Sequence, residues 1–260
     1  GVGQPLSTAV CEAVFMKKNY TEIAFVLDRS GSMSGCQDAA IAGFNQFLLE
    51  QQEAEGLARL TLVLFDDEYL VTVQSLPVQE VVPLNWETFV PRGSTALLDA
   101  VGKTIDDLGA RIAALPEGDR PAQVIVPILT DGEENASRHF TWRDLAQRIK
   151  HQTDVYKWTF LFLGANQDAI ATAAQINIPA ANASAYVADA AGSRSSHRAF
   201  SRTIQPMRAI NGATATAAEC IDPPAPMPQN VPDTDTTAPG GSGAPPAQRL
   251  ARRGNGARSA

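Results

Sequence analysis

Several residue types that carry common chemistry are scarce in this sequence of 260 residues. It contains three cysteines, Cys11, Cys36 and Cys220, which are scattered and form no CxxC pair. This argues against a disulfide framework and against a thiolate metal site, and it suits a reducing compartment. The three histidines match no metal-ligand spacing either. We therefore expect neither redox chemistry nor a zinc centre built on these side chains.

Long apolar runs and an excess of positive charge are also missing. No stretch approaches the roughly 18 consecutive apolar residues that a bilayer requires. The net charge of −7 argues against a general binder of nucleic acid or anionic membrane. The first fifteen residues show no basic region followed by an apolar one, so they do not read as a secretory signal. We therefore expect a cytoplasmic protein whose partners are neither nucleic acid nor membrane.

The apolar content is sufficient for a folded core. Hydrophobic residues make up 44% of the chain, enough for one domain of roughly 200 residues. We assign that domain to residues 20–210. Residues 1–19 lack a clear period, and we expect a short disordered lead or an over-extended gene prediction that precedes Met16. Residues 211–260 are rich in proline, alanine and glycine, and we expect a disordered tail.

Within the predicted domain, short apolar runs alternate with segments of helical spacing. The runs that predict strands are 22–27, 59–65, 69–74, 123–130, 158–163 and, as a last edge strand, 184–188. Helices are predicted at about 37–55, 96–114, 141–154, from about 167, and 193–210. Strands that are apolar on both faces are typical of a parallel sheet between two helix layers.

The predicted fold class is therefore α/β, with a doubly wound, mostly parallel sheet and helices on both faces. The acidic turn between the runs 59–65 and 69–74 predicts a hairpin and hence one antiparallel edge strand. Pro127 lies inside a strand pattern, and we expect a bulge there because proline cannot donate to the ladder.

Two of the predicted strands end on an aspartate, Asp28 and Asp131. Ligands of open parallel sheets bind beyond the carboxyl ends of the strands. If the two strands are neighbours, the carboxylates face each other across that crevice and repel. A divalent cation between them would remove the repulsion.

Small hydroxyl side chains cluster around the same point. Ser30 and Ser32 lie two and four residues after Asp28, and an extended turn would place all three side chains on one side. Gly31 would let the backbone bend between the serines. A further hydroxyl could come from Ser94-Thr95 at the start of a helix. Such an all-oxygen set suits a hard ion such as Mg²⁺, with Mn²⁺ as an alternative.

These three segments together resemble a known site. DRSGS (28–32), the threonine of GSTALLDA (93–100) and the aspartate of LTDGEE (129–134) are similar, in order and spacing, to the metal ion-dependent adhesion site (MIDAS) of von Willebrand factor type A domains. The resemblance covers roughly residues 20–210. The whole chain is similar to small stand-alone bacterial and phage members of that family.

The resemblance implies a fold, a ligand set and a function. The fold would be the doubly wound α/β sandwich, with Ser30, Ser32 and Thr95 as hydroxyl ligands. Asp28 and Asp131 would act directly or through water. The open coordination position would take a glutamate or aspartate from a partner protein, so the chain would be a binding module and no enzyme.

Other interpretations of the same residues remain open at this point. The DxSxS stretch could be an ordinary serine-rich turn or helix cap. Asp28 could be a phosphotransfer nucleophile of a metal-dependent phosphoester hydrolase, although Ser30 stands where such enzymes commonly place a second carboxylate. The domain could also be a subunit of a larger chelatase-type or stress-type assembly. Cys36 at a helix start could have a lowered pKa, although a buried, inert thiol is the simpler interpretation.

Overall fold

The structure, a computed structural model, describes residues 19–165, 168–186 and 200–208. The predicted lead, apart from Asn19, and the predicted tail lie outside these residues, so both remain predictions. No helix of the described part is long and apolar enough to cross a membrane.

One six-stranded sheet organises the described residues. Its strands are β1 (Tyr20–Asp28), β2 (Leu57–Phe65), β3 (Tyr69–Pro77), β4 (Gln123–Thr130), β5 (Thr159–Ala165) and β6 (Ala183–Tyr186). Their order across the sheet is β3-β2-β1-β4-β5-β6. Only the β2–β3 pair is antiparallel among these strands, as the hairpin pattern predicts. The predicted fold class is confirmed.

The chain reverses its direction of winding between β1 and β4. From β1 it proceeds outward to β2 and β3, returns to β4 on the other side of β1, and then proceeds to β5 and β6. Such a switch point leaves a crevice beyond the carboxyl ends of its two central strands. β1 ends at Asp28 and β4 ends one residue before Asp131, so both aspartates open onto this crevice.

Helices cover both faces of the sheet. They are α1 (Gln37–Glu53), α2 (Leu97–Ala114), α3 (Trp142–Tyr156), α4 (Ala169–Gln175) and α5, the helical residues 200–208. Helices α1 and α5 contribute to one hydrophobic cluster, which includes Phe25 of β1. Helices α2, α3 and α4 contribute to a second cluster, which includes Val26. Because neighbouring strand residues point to opposite faces, the unbroken apolar runs of the sequence feed both clusters.

Two contacts show how α1 and α5 are fixed. Phe25 makes edge-to-face contacts with Phe44 of α1 and Phe200 of α5, at centroid distances of 5.5 and 5.7 Å. Arg208 of α5 is buried and donates hydrogen bonds to the carbonyl oxygens of Gln51, at 2.6 Å, and of Ala54 and Gly56. An arginine at the C-terminal end of a helix satisfies carbonyls that have no partner within the helix.

The expectation of a bulge at Pro127 is wrong. The pairs Ile23–Ile125 and Val26–Ile128 have the same register on either side of it, and Pro127 itself pairs with Leu161 of β5. The proline interrupts the β1–β4 ladder without displacing it, because losing one donor does not require an extra residue. The register shifts instead in the β2–β3 pair, around Leu62.

Candidate metal centre

Asp28 is a buried carboxylate that only neutral groups contact. Its exposed fraction is 0%, and it has no ion pair within the described part of the chain. Its Oδ1 accepts a hydrogen bond from the Ser30 amide at 2.7 Å, and its Oδ2 accepts one from the Thr130 hydroxyl at 2.6 Å. Burial raises the pKa of Asp28 to about 6, although these hydrogen bonds oppose the shift; the charge of Asp131 adds to it.

A chain of short contacts links the serines to the second aspartate. The hydroxyl oxygens of Ser30 and Ser32 lie 3.0 Å apart, and the Ser32 hydroxyl donates to Asp131 Oδ1 at 2.7 Å. Burial also raises the pKa of Asp131. These contacts extend from the residues that follow β1 to the residue that follows β4, which are 99 positions apart in the sequence.

Thr95 completes the cluster from the start of α2. The hydroxyls converge on the space beside Gly132, which is open because this residue has no side chain. A Cβ atom at that position would lie 2.7 Å from Thr95 Oγ1, 3.4 Å from Ser32 Oγ and 3.6 Å from Ser30 Oγ. Three hydroxyl oxygens from two separate loops therefore surround one point. The structure brings all five predicted residues together, and their role as ligands remains a prediction.

Backbone contacts hold the Thr95 loop against the loop that follows β4. The amide of Thr95 donates to Asn135 Oδ1 at 2.9 Å, and its carbonyl accepts from the amides of Asn135 and Ala136. Glu134 Oε2 accepts from the Leu98 amide at 2.9 Å, within the first turn of α2. An acceptor at this position satisfies an amide that has no partner within the helix and suits the positive end of the helix dipole. Thr95 is thus held in place by the loop that follows β4.

An ion-pair cluster fixes the loops on the other side of the site. Asp66 Oδ2 lies 3.1 Å from Nε of both Arg29 and Arg92. The Arg92 amide donates to the Arg29 carbonyl at 2.8 Å, and the Gly31 amide donates to the Gly93 carbonyl at 3.1 Å. A Cβ at Gly31 would approach that carbonyl oxygen to 3.2 Å, so a side chain would strain this contact.

The backbone differs from the predicted extended turn. Ser30 is extended, with φ −59° and ψ 167°, but residues Gly31–Cys36 form a 3-10 helix whose second residue is Ser32. The role of Gly31 is close approach and not a left-handed bend. A glycine of this site that does have a positive φ, 66°, is Gly93 in the loop before Thr95, where a side chain would also collide with Asp67.

The other sequence candidates have structural roles where the structure describes them. Burial raises the pKa of the Cys36 thiol to about 11, and the charges of Asp131 and Asp28 add to the shift, so it is no reactive thiolate. Asp168 accepts a hydrogen bond from the Ala171 amide and caps α4. His151 packs edge-on against Tyr156, far from a metal-ligand arrangement. Asn166 and His197 lie outside the described residues.

The donor set of the candidate centre fits a hard divalent cation. Within the described residues, no group of three or more histidine, cysteine, aspartate or glutamate side chains could hold a metal. The convergent donors are instead three hydroxyls and two carboxylates, the oxygen ligands that Mg²⁺ and Mn²⁺ favour. A buried carboxylate without a cationic partner is costly, and a bound cation would offset that cost. The residues present therefore fit the group that the resemblance implies.

A groove leads away from the candidate centre along α2. It has a volume of about 930 Å³, and its lining includes Ser94 and Ala96, which flank Thr95. Its walls come from the turn after β2 and from the loop before α3, including Asp67 and His139. A chain that reached the metal centre could continue into this groove.

Sequence reasoning missed three residues of the site. Thr130 holds Asp28, Gly132 leaves room between the hydroxyls, and Glu134 ties the loop to α2. All three flank Asp131 in the stretch LTDGEE, so the signal was present in the motif itself. The motif, however, does not say which backbone groups its side chains will meet.

The comparisons with known proteins concern structure alone. No family model and no curated protein sequence matches this chain. Among solved structures, the pilus adhesin SpaC from Lactobacillus rhamnosus GG in its open conformation has a TM-score of 0.53 and 15% identity, over 72% of this chain and 30% of that chain. Proximal thread matrix protein 1 from the mussel byssus, with a zinc-occupied MIDAS motif, has a TM-score of 0.50 and 14% identity, over 74% of this chain and 47% of that chain.

A von Willebrand factor type A protein from Catenulispora acidiphila is a more distant match, with a TM-score of 0.45 and 16% identity over 71% of this chain and 42% of that chain. The chain spans less than half the length of these three structures. At such identities the likeness shows the fold alone, a Rossmann-like α/β sandwich.

Proposed function

We propose that this chain is a metal-dependent protein-binding module, without enzymatic activity, that captures an aspartate or glutamate of a partner protein. The observation that carries the proposal is the convergence of Ser30, Ser32 and Thr95 on one point beside two carboxylates of raised pKa. The mussel matrix protein, which has a similar fold, carries zinc in its MIDAS motif. The proposed metal is Mg²⁺ or Mn²⁺, because every donor here is oxygen.

In this proposal the five residues divide the work. Ser30, Ser32 and Thr95 would supply neutral oxygens, and Asp28 and Asp131 would balance the charge of the ion directly or through water. When bound, the ion would offer an open coordination position to a carboxylate. Because three of the five donors are neutral, the ion would keep positive charge for that anion.

The groove beside Thr95 would receive the residues that neighbour the partner's carboxylate. The groove begins at Ser94 and Ala96, which flank Thr95, and its wall includes the exposed Asp67 and His139. We therefore propose that the metal supplies the shared step of recognition, and that the groove selects among partners.

The scattered cysteines lead us to propose a cytoplasmic location for this binding.

Metal binding is the first step to test. Calorimetric titration of the wild-type chain with Mg²⁺ and Mn²⁺ should show one saturable site, and Thr95→Ala should remove it because it deletes one of three neutral ligands. Ser94→Ala is the matched control, since it removes an exposed hydroxyl one residue away and should titrate like the wild type. The absence of uptake by the wild type would contradict the proposal.

Partner capture needs a second experiment. An array of peptides that each carry one aspartate or glutamate should contain sequences that bind in Mg²⁺ and are released by EDTA. Versions with asparagine or glutamine at the same position should not bind, and Asp28→Ala should lose the binding. Binding that survives EDTA, or that tolerates the amide versions, would contradict capture through the metal. A screen with generic phosphoesters should show no turnover.

A further inference from the structure

A second polar cluster lies at the opposite end of the sheet, among the first residues of β1 and the last residues of β3. Glu22 is fully buried, and its Oε1 accepts hydrogen bonds from Arg111 Nη2 at 2.7 Å and from the Thr61 hydroxyl at 2.9 Å. Its Oε2 accepts from the Ser75 hydroxyl at 2.8 Å. Both oxygens of this carboxylate are therefore hydrogen-bonded, and its charge is paired with that of Arg111.

Arg59 joins this cluster through its Nε alone. That atom donates to the Ser75 carbonyl at 2.8 Å and lies 3.1 Å from the Ser75 hydroxyl. Ser75 itself has a positive φ of 47°, which is uncommon for a residue with a side chain. Within the described residues, Arg59 has no ion pair, and its two terminal nitrogens have no hydrogen-bond partner. A half-buried guanidinium thus retains one formal charge and two donor groups.

The cluster opens into a cavity of about 560 Å³. Arg59 and Arg111 both line it, and apolar lining comes from Leu57, Pro77 and Leu115. Cavities of this size hold small organic ligands, and a few polar groups among apolar walls fix their orientation. A guanidinium with free terminal nitrogens matches the planar, two-oxygen geometry of a carboxylate.

The charges around the cavity limit the charge of the ligand. Arg111, which also lines the cavity, is already paired with Glu22. One cation, Arg59, remains for an incoming anion. A ligand with a single negative charge and an apolar body suits this arrangement better than a phosphate dianion does.

We propose that the cavity is a second binding site, separate from the metal centre, which takes a small monocarboxylate with an apolar body. Arg59 binds the carboxylate, and Leu57 and Leu115 contact the apolar part. The site lies beyond the amino end of β1, whereas the candidate metal centre lies beyond its carboxyl end. Its occupation therefore needs no metal and does not depend on the function proposed for that centre.

The test uses octanoate and the full chain in EDTA, so that no metal can bind the probe. Titration followed by calorimetry or by ligand-observed NMR should show saturable binding. Octanamide, which has the same body without the charge, should bind roughly tenfold more weakly, since charge-assisted hydrogen bonds stabilise the complex. Acetate and inorganic phosphate should also bind more weakly than octanoate.

Variants locate the site. Arg59→Gln should weaken octanoate binding by roughly tenfold or more. Arg143→Gln, on the exposed side of α3, is the matched control and should change nothing. Leu57→Ser alters a residue that is 69% exposed and cannot disturb the core, and it should weaken octanoate binding without affecting acetate. The proposal is overturned if octanoate does not saturate, if octanamide or phosphate binds as tightly, or if Arg59→Gln binds octanoate like the wild type.

Discussion

Strand β1 carries two fully buried carboxylates, Glu22 near its start and Asp28 at its end, and the two differ in the groups that contact them. Glu22 has a cationic partner, Arg111, and two hydroxyl donors. Asp28 has an amide and a hydroxyl and, within the described residues, no cation. The first carboxylate is neutralised by the protein itself, whereas the second is left with a charge that an external cation could neutralise. The comparison separates a buried charge with an internal cationic partner from one without such a partner among the described residues.

Breaking the ion pair between Glu22 and Arg111 should cause the largest loss of stability. Arg111→Met leaves a buried carboxylate without its cation, and we expect the free energy of unfolding to fall by about 3 kcal/mol. Urea denaturation at pH 7.5 measures this loss. Adding Glu22→Gln to Arg111→Met should restore part of the stability, because the unpaired charge is then gone. Arg143→Met on the exposed face of α3 should change stability by less than about 0.5 kcal/mol. If Arg143→Met lost as much stability as Arg111→Met, the special role of the Glu22–Arg111 pair would be contradicted.

Asp28→Asn should act in the opposite direction. A carboxyl whose pKa is raised from 3.8 to about 6 binds its proton more tightly in the folded state. The folded state therefore loses stability as the pH rises from about 4 to 6, and this cost persists above that window. We expect the asparagine variant in EDTA to be more stable than the wild type at pH 7.5 by about 3 kcal/mol, and the difference to vanish once the pH falls well below 3.8. A destabilised variant at pH 7.5 would contradict this account of Asp28.

Binding of Mg²⁺ beside Asp28 should change the free energy of unfolding by a smaller amount. At ten times its Kd, Mg²⁺ should stabilise the wild type by about 1.4 kcal/mol at pH 7.5. The gain should shrink at pH 5, because protons compete for Asp28 and Asp131, whose pKa values are both raised. Thermal unfolding with and without Mg²⁺ at the two pH values measures this. Asp28→Asn should gain nothing from the metal, and Arg111→Met should gain as much as the wild type.

Gly132→Ala should remove the response to Mg²⁺, and it should also cost some stability without metal because the Thr95 side chain has to shift. Its new methyl group would lie 2.7 Å from Thr95 Oγ1, in the space between the hydroxyls. Gly35→Ala is the matched control, since a Cβ there meets nothing within 4 Å. Stability with and without Mg²⁺ distinguishes the two variants. If Gly132→Ala still responds to the metal, the hydroxyls do not converge on it in the way proposed.

Asp28 was easier to single out from the sequence than Glu22. Asp28 interrupts a strand at its end, and short-range spacing to Ser30 and Ser32 marks it out. Asp131 followed from the same reasoning, because two apolar strands that end on aspartate suggest neighbours. Thr95 became a specific prediction only through the resemblance to a known site, since nothing local distinguishes it from Ser94.

Glu22, in contrast, reads as the polar first residue of an apolar run. Its partners Thr61 and Arg111 lie 39 and 89 positions away, so its burial depends on the packing of β2 and α2 against β1. The same reason applies to Glu134, whose partner is the backbone amide of Leu98. Backbone partners leave no mark on the sequence. The fold class and the clustering of the five candidate residues were therefore predictable, while the contacts that position them were not.

The contact of Arg208 with the end of α1 sets a lower limit for any shortened version of this protein. Its guanidinium donates hydrogen bonds to the carbonyl oxygens of Gln51, Ala54 and Gly56, although more than 150 positions separate it from them. A fragment that stops before residue 208 would contain every predicted metal ligand and still lose the hydrogen bonds that hold α5 against the end of α1. Deletion series for expression or crystallisation should therefore retain α5 in full.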